Sequence, residues 1–200
     1  IREGLVLIPF GAGDMRFVNH NNDNVIDEND RVVIGNPNPD LFGNINTKLK
    51  YRNIELSAVF IYSLGGDVYN FARSQLESMS MTYNQYQTVL NRWRMENDNT
   101  TIPQATPGDP MGNARFSDRW IEDGSYMRLK NLTLSYDLNL KIPVIQNSMI
   151  YISGDNLLTL TRYKGLDPEF AAGESPLYLG IDPCVVPQSP TISAGIKLGL

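Results

Sequence analysis

The stretch that decides the fold is "LFGNINTKLKYRNIELSAVFIYS", residues 41–63. Apolar or small residues occupy every second position in each half of it: Leu41, Gly43, Ile45, Thr47, Leu49 and Tyr51 in the first half, and Ile54, Leu56, Ala58, Phe60 and Tyr62 in the second. The positions between them are mostly polar, and successive side chains of a strand point to opposite faces. The pattern therefore predicts two strands joined by a short turn at Arg52-Asn53.

The same period of two recurs in three later stretches, "NLTLSYDLN" (131–139), "MIYISGDN" (149–156) and "TISAGIKLGL" (191–200). We therefore predict five strands, at residues 41–51, 54–63, 126–138, 149–160 and 191–200, each with an apolar and a polar face. A soluble β-sandwich would turn the apolar face inward, whereas an outer-membrane barrel would turn it toward lipid.

Three observations favour the barrel. The strands are about ten residues long, the length that crosses a bilayer at a tilt. Their connections alternate between short turns and long loops, as periplasmic turns and extracellular loops do, and the long ones are 64–125 and 161–190. Tyr51, Tyr62, Tyr126 and Tyr163 lie near predicted strand ends, where a barrel has aromatic girdles.

Two charges interrupt the apolar face. Extended backward through "YMRLKNLTL", that face includes Arg128 and Lys130. A charge at the lipid midplane costs about 2–4 kcal/mol. We therefore expect either that both residues lie above the hydrocarbon band, or that a β-bulge changes their facing.

Composition excludes several classes of function. The chain has 200 residues, a net charge of −5, one cysteine (Cys184) and one histidine (His20). The absence of a long basic run argues against a nucleic-acid partner, and the single histidine and cysteine argue against a His-dependent hydrolase or a Cys/His zinc site. No Gly-x-Ser-x-Gly, P-loop or Rossmann pattern occurs, so we expect no enzyme activity. Because the chain begins at Ile1, we expect a processed product or a piece of a longer protein.

A segment rich in acidic and amide side chains, within residues 13–35, has the spacing of a calcium loop. With Asn19 at position 1, the six ligand positions fall on Asn19, Asn21, Asp23, Val25 (through its carbonyl), Asp27 and Asp30. Asn replaces the usual Asp at position 1, Asn24 replaces Gly at position 6, and Asp30 replaces the bidentate Glu at position 12. The alternative is a run of turns in which these side chains bond their own backbone.

Four segments, in this order, carry a resemblance to a known family: 13–60, 115–138, 152–169 and 191–200. The runs "IGNPNPDLFG", "DGSYMRLKN" and "NLLTLTRY" within them are specific. Together the segments resemble the C-terminal part of a SusC/RagA-type TonB-dependent transporter, and the resemblance covers nearly the whole chain.

The resemblance implies an all-β fold: the C-terminal strands of a 22-stranded antiparallel outer-membrane β-barrel, without the family's N-terminal plug domain. It also implies import of an oligosaccharide or peptide, a SusD-like surface lipoprotein as partner, and energy supplied by TonB through the missing N-terminal part. The C-terminus would then be periplasmic. The competing hypothesis is a soluble, calcium-stabilised β-sandwich that binds glycan, in which Leu132, Leu134, Ile192, Ile196 and Leu198 would be buried.

Candidate substrate contacts lie in the 64–125 loop. Its aromatic residues can stack on sugar rings, and they are Trp93, Trp120, Tyr83, Tyr86 and Phe116. The alternative is that they pack the loop onto itself, with "NQYQTVLNRW" as a short helix at the barrel rim.

Overall fold

A computed structural model of the chain describes residues 2–3, 6–7, 10–23, 25–138, 147–170, 173 and 175–199. Its ten strands are β1 Arg2–Glu3, β2 Val6–Leu7, β3 Leu41–Tyr51, β4 Ile54–Leu64, β5 Asp67–Asn70, β6 Ile121–Asp123, β7 Tyr126–Asp137, β8 Asn147–Thr161, β9 Ile181–Asp182 and β10 Thr191–Gly199. One α-helix, α1 Phe71–Leu76, is present among the described residues, with 3-10 turns at Glu28–Asp30, Gln87–Asn91, Asp118–Trp120 and Pro176–Tyr178.

The five long strands form one antiparallel sheet in the order β10-β8-β7-β4-β3. They correspond to the five strands that period-two alternation predicts, with ends that differ by no more than two residues. The β3–β4 hairpin pairs Tyr51 with Ile54 and Leu41 with Leu64, so its register is continuous over eleven residues of each strand. Arg52, with φ of 52°, takes the left-handed conformation that its short turn requires.

A bulge interrupts β7 at Lys130. Against β4, Leu129 pairs with Phe60 and Asn131 pairs with Val59, which leaves Lys130 without an opposite residue. Against β8, the register also shifts between Leu129 and Asn131, and Asn156 adopts a left-handed φ of 51° beside that shift. Because one extra residue reverses the alternation of a strand, the bulge changes the facing of every residue before it. Of the two expectations for Arg128 and Lys130, the structure confirms the bulge.

Contacts divide the chain into two compact units. The sheet unit comprises Asn36–Val68, Glu122–Gly180 and Val185–Leu200. The loop unit comprises Ile1–Gly35, Tyr69–Ile121 and Ile181–Cys184. In the loop unit, parallel pairing joins Tyr69 of β5 to Ile181 of β9 and Asn70 to Asp182.

The loop unit has its own small core. Its buried apolar side chains are Met79, Val89, Met111 and Trp120. Asn70 precedes helix α1, and its side chain accepts a hydrogen bond from the Arg73 N–H and so caps the first turn. The predicted short helix in "NQYQTVLNRW" is found as the 3-10 turn Gln87–Asn91. Sequence alternation gave no indication of β5 or α1, because each is shorter than the window over which a period can be read.

Several sequence-based expectations fall outside the described residues. They concern the turn residue Asn24, much of the Asn139–Ser148 connection, and the C-terminal residue Leu200. Within the described part of the chain, no helix is both long and apolar enough to cross a membrane.

Candidate functional site

One face of the five-stranded sheet is apolar along every strand. Cross-strand pairing aligns its residues in rows, and two of these rows are Tyr51, Ile54, Tyr136, Ile150 and Ile196, and Leu49, Leu56, Leu134, Ile152 and Ala194. These side chains are open to the surroundings of the chain, with Ile152 50% and Ile192 75% exposed. An apolar surface of this extent marks a contact with another protein or with a membrane. The β-sandwich hypothesis required Leu132, Leu134, Ile192, Ile196 and Leu198 to be buried. Leu132 is half-buried, and the other four are exposed.

The opposite face of the sheet is mainly polar. One row on this face consists of Lys48, Ser57, Thr133, Ser153 and Ser193. Lys48 pairs with Glu55 at 2.7 Å and Lys50 with Asp137 at 3.1 Å. The Asn131 amide donates to Asp155 across β7 and β8 at 2.7 Å, and the Thr133 hydroxyl donates to Asn131 at 2.9 Å. Such a surface suits contact with water or with polar groups, as the lumen of a transport barrel requires.

The bulge places a charged cluster on this polar face. Arg128 is 3% exposed, and its guanidinium donates from Nε to Thr159 Oγ1 (2.9 Å), from Nη1 to Glu169 (2.7 Å) and from Nη2 to Asp167. Lys130 Nζ lies 3.1 Å from Glu169 Oε1. The carboxylates therefore neutralise Arg128 and Lys130, the two cations that uninterrupted alternation would have placed on the apolar face.

Asp167 is a buried carboxylate that accepts three hydrogen bonds. Burial raises the pKa of the Asp167 carboxyl, but backbone hydrogen bonds from Gln188 and Glu169 and the contact with Arg128 outweigh it, so the pKa lies below its usual value. Asp167 is therefore ionised at neutral pH. The engagement of Asp167 and Glu169 with Arg128 gives this carboxylate pair a structural role, and the Glu122 carboxylate likewise accepts from the Lys164 N–H at 2.9 Å.

The predicted substrate-contact residues have different environments in the loop unit. Trp120 is 0% exposed, its ring contacts the guanidiniums of Arg73 (5.6 Å) and Arg119 (4.4 Å), and its Nε1 donates to the Arg115 carbonyl. The structure therefore gives Trp120 the packing role, because a ring without exposed surface cannot stack on a ligand. Trp93 is half-buried and covers Gly13, whose φ of 88° and closeness to that ring leave no room for a Cβ atom.

The remaining three aromatic residues are accessible to different degrees. Tyr83 is 75% exposed and Phe116 is 62% exposed, whereas Tyr86 is half-buried. Phe116 packs edge-on against Tyr69 at 4.8 Å, and Tyr69 packs against Phe71 at 6.2 Å. Sequence analysis missed Tyr69 and Phe71, although their aromatic type and their position just after β4 could have suggested them. These three rings form the largest accessible aromatic group in the described part of the loop unit.

The calcium-type loop is held by its own side chains. Asp23 Oδ1 accepts from the Val25 N–H, Asp27 Oδ1 from the Asn29 N–H, and the two oxygens of Asp30 from the His20 and Asp27 N–H groups, all within 2.9 Å. Among the residues that the structure describes, no three His, Cys, Asp or Glu side chains converge on a common point. Asn19 Oδ1 is buried and lacks a hydrogen-bond partner. The oxygen donors that calcium prefers are thus present, arranged as turns rather than as a coordination shell.

A second carboxylate ties the start of the loop unit to its later part. Asp14 Oδ1 accepts from the side-chain amides of Asn113 (2.9 Å) and Gln104 (3.0 Å), and Oδ2 accepts from the Gly11 N–H (2.8 Å). Burial raises the pKa of the Asp14 carboxyl, but these three hydrogen bonds outweigh it, so the pKa lies below its usual value. The Asp14 carboxylate thus holds two residues, Gln104 and Asn113, that lie 90 and 99 positions later in the sequence.

Comparison with known proteins identifies several TonB-dependent receptors as relatives of the chain. No protein-family model matches the chain. It is 38% identical over 143 residues to TonB-dependent receptor P3 of Formosa agariphila, covering 70% of this chain and 14% of that protein. It is 30% identical over 164 residues to TonB-dependent receptor P26 of the same organism, covering 80% and 16%. With TonB-dependent receptor SusC of Bacteroides thetaiotaomicron the identity is 27% over 190 residues, covering 91% and 17%.

Solved structures of the RagAB peptide importer also match. In the closed-closed state the TM-score is 0.70 at 30% identity, covering 83% of this chain and 18% of that chain. In the open-open state the TM-score is 0.67 at 29% identity, covering 81% and 17%. The chain thus spans less than a fifth of the length of each of these relatives. The sequence relatives are TonB-dependent receptors, and the RagAB structures share the fold of this chain.

Proposed function

We propose that this chain forms part of an outer-membrane importer for large nutrients, because it is by homology a member of the SusC/RagA-type TonB-dependent receptors. The observation that carries the proposal is the sheet itself, whose apolar face is exposed and whose opposite face is polar. A barrel needs this distribution, because lipid contacts one face and the lumen the other. The edge strands β3 and β10 would pair with further strands of the whole protein, completing a 22-stranded barrel.

The proposed orientation places the Arg52-Asn53 turn and the C-terminus on the periplasmic side. The segments 64–125 and 161–190 are then extracellular, which agrees with the general rule that outer loops are the long ones. A SusD-like surface lipoprotein would close over that side, and TonB would supply energy through the N-terminal part of the whole protein. Membrane lipid would contact the apolar rows.

The proposed cargo is an oligosaccharide or a peptide. RagAB is a peptide importer, and it matches most of this chain in structure. Exposed rings at Tyr83 and Phe116 could contact either class, because an aromatic face binds both sugar C–H groups and apolar side chains. The soluble glycan-binding domain is not favoured, since the relatives are TonB-dependent receptors and four of the five positions it would bury are exposed.

The test of the membrane assignment is lipid-phase labelling of the full-length protein in its native membrane. A hydrophobic carbene precursor dissolved in the bilayer should label Ile152, Ile192 and Ile196, while Ser153 and Ser193 on the opposite face stay unlabelled. The intact mass of the polypeptide that ends in "TISAGIKLGL" should be several times 22.5 kDa. Equal labelling of both faces, or a 22.5 kDa protein that is soluble without detergent, would overturn the proposal.

For the calcium-type loop we propose a structural Ca²⁺ ion. The support is the ligand spacing from Asn19 to Asp30 and the unpartnered Asn19 oxygen. Asp27→Asn removes a charge yet keeps the oxygen that caps the 3-10 turn, so it separates metal binding from the turn. Calorimetric titration should show Ca²⁺ binding that weakens at least about tenfold in this variant. His20→Ala, at a non-ligand position, is the matched control, and equal heats for both variants would refute the ion.

A further inference from the structure

The charged cluster around Arg128 lies where the connection between β8 and β10 leaves and rejoins the sheet. Asp167 and Glu169 come soon after β8 ends at Thr161, and Gln188 comes just before β10 begins at Thr191. Asp167 Oδ2 accepts from the Gln188 N–H at 2.9 Å, which joins the two ends of the connection directly.

Strand β7 holds both ends at once. Lys130 Nζ donates to Gln188 Oε1 at 2.7 Å and to Glu169 Oε1 at 3.1 Å. Arg128 holds Asp167 and Glu169 from the neighbouring position on the polar face. Both cations of β7 therefore contact residues that are far away in the sequence.

We propose that these five residues, Arg128, Lys130, Asp167, Glu169 and Gln188, form an electrostatic latch that closes the base of the β8–β10 connection, and that the bulge at Lys130 exists to aim Arg128 into it. Without the bulge, alternation would place Arg128 on the apolar face, away from both carboxylates. With it, two cations and two anions meet and cancel, so the polar face gains no net charge.

Arg128 is the positioning residue of this latch. Its planar guanidinium makes three bonds in different directions, to Thr159, Asp167 and Glu169. A lysine ammonium at the same place could keep the charge but not this fork. Beyond the latch, Leu177 is 86% and Val186 85% exposed, whereas Ile181 and Asp182 of the same connection pair with β5.

The inference goes beyond import itself and can be tested without knowing the cargo. Hydrogen–deuterium exchange of the full-length protein in detergent should report on the Glu169 and Gln188 amides, which both bond Asp167 and do not touch Arg128. In Arg128→Lys and in Glu169→Gln, we expect both amides to exchange at least about tenfold faster. Trypsin should also cleave after Arg162 and Lys164 faster than in the wild type.

Two controls make the result specific. Lys50→Met breaks the Lys50–Asp137 pair on the same face, and it should leave exchange of Glu169 and Gln188 unchanged. Peptides from residues 41–64 should keep their protection in every variant. Unchanged Glu169 and Gln188 exchange in folded Arg128→Lys, or an equal loss of protection in 41–64, would overturn the latch. Either outcome would leave the lipid-labelling test of the import proposal unaffected.

Discussion

Arg128 and Leu132 lie on opposite faces of the sheet although four positions separate them on one strand. Leu132 pairs with Ala58 and Arg128 with Ile61, and Ala58 and Ile61 are three residues apart on a regular strand. Residues four apart on an uninterrupted strand share a face. The single unpaired residue, Lys130, accounts for the difference and keeps a buried arginine out of the apolar face.

Deletion of Lys130 should therefore keep Arg128 on the polar face. Arg128 and Leu132 would then be three positions apart on a regular strand, which places them on opposite faces, and only the contacts of Lys130 would be lost. Heat-modifiable migration in gels measures the folded fraction. Lys130→Ala keeps the extra residue and loses only part-exposed ionic contacts, so it should cost no more than about 1 kcal/mol. The deletion should fold about as well as the Ala variant, and a cost of about 2–4 kcal/mol in the deletion alone, the penalty of a charge that faces lipid, would contradict the assigned bulge.

The two faces of β8 should respond differently to a charge. Ile152→Lys puts an ammonium on the apolar face and should cost about 2–4 kcal/mol of folding free energy in vesicles. Ser153→Lys, one residue later on the polar face, should cost less than about 1 kcal/mol. Urea unfolding in lipid vesicles measures both variants, and similar values for the two would argue against a lipid-facing row.

Trp120 and Tyr83 should separate packing from ligand contact. Trp120→Ala removes the largest side chain of the loop unit's core and should cost about 3–5 kcal/mol of local stability, seen as faster proteolysis of residues 69–121. Tyr83→Ala should change stability by no more than about 0.5 kcal/mol, because its ring is exposed. If Tyr83 stacks on cargo, its variant should weaken binding to peptide or oligosaccharide panels. A stable Trp120→Ala loop would be the contrary result.

Asp14 should make the loop unit sensitive to acid. Its hydrogen bonds from Asn113, Gly11 and Gln104 outweigh its burial and lower its pKa below the usual 3.8. Its stabilising contribution is thus complete above pH 3.8 and is lost as the pH falls through the lowered folded-state value. The stability difference between the wild type and Asp14→Asn should therefore shrink below pH 3.8, as followed by Trp93 fluorescence. A difference that stays constant with pH would exclude this role.

The sequence by itself determined the five strands and their two faces. Alternation is local information, because each side chain's facing depends only on its position along a regular strand. For the same reason the sequence indicated that Arg128 and Lys130 conflicted with the apolar face, and it gave the bulge as one of two solutions. The turn at Arg52-Asn53 was equally readable, since it lies between two uninterrupted runs.

Only the tertiary structure decided which solution applies and which aromatic residues are accessible. The bulge is stabilised by Asp167, Glu169 and Gln188, which lie roughly forty to sixty positions after Arg128 and Lys130 in the sequence and meet them only when the sheet has formed. Trp120 and Tyr83 are both aromatic residues in one loop, and their difference depends on distant neighbours such as Arg73. Contacts between residues far apart in sequence leave no periodic trace along the chain, so the fold had to bring them together before their roles could be assigned.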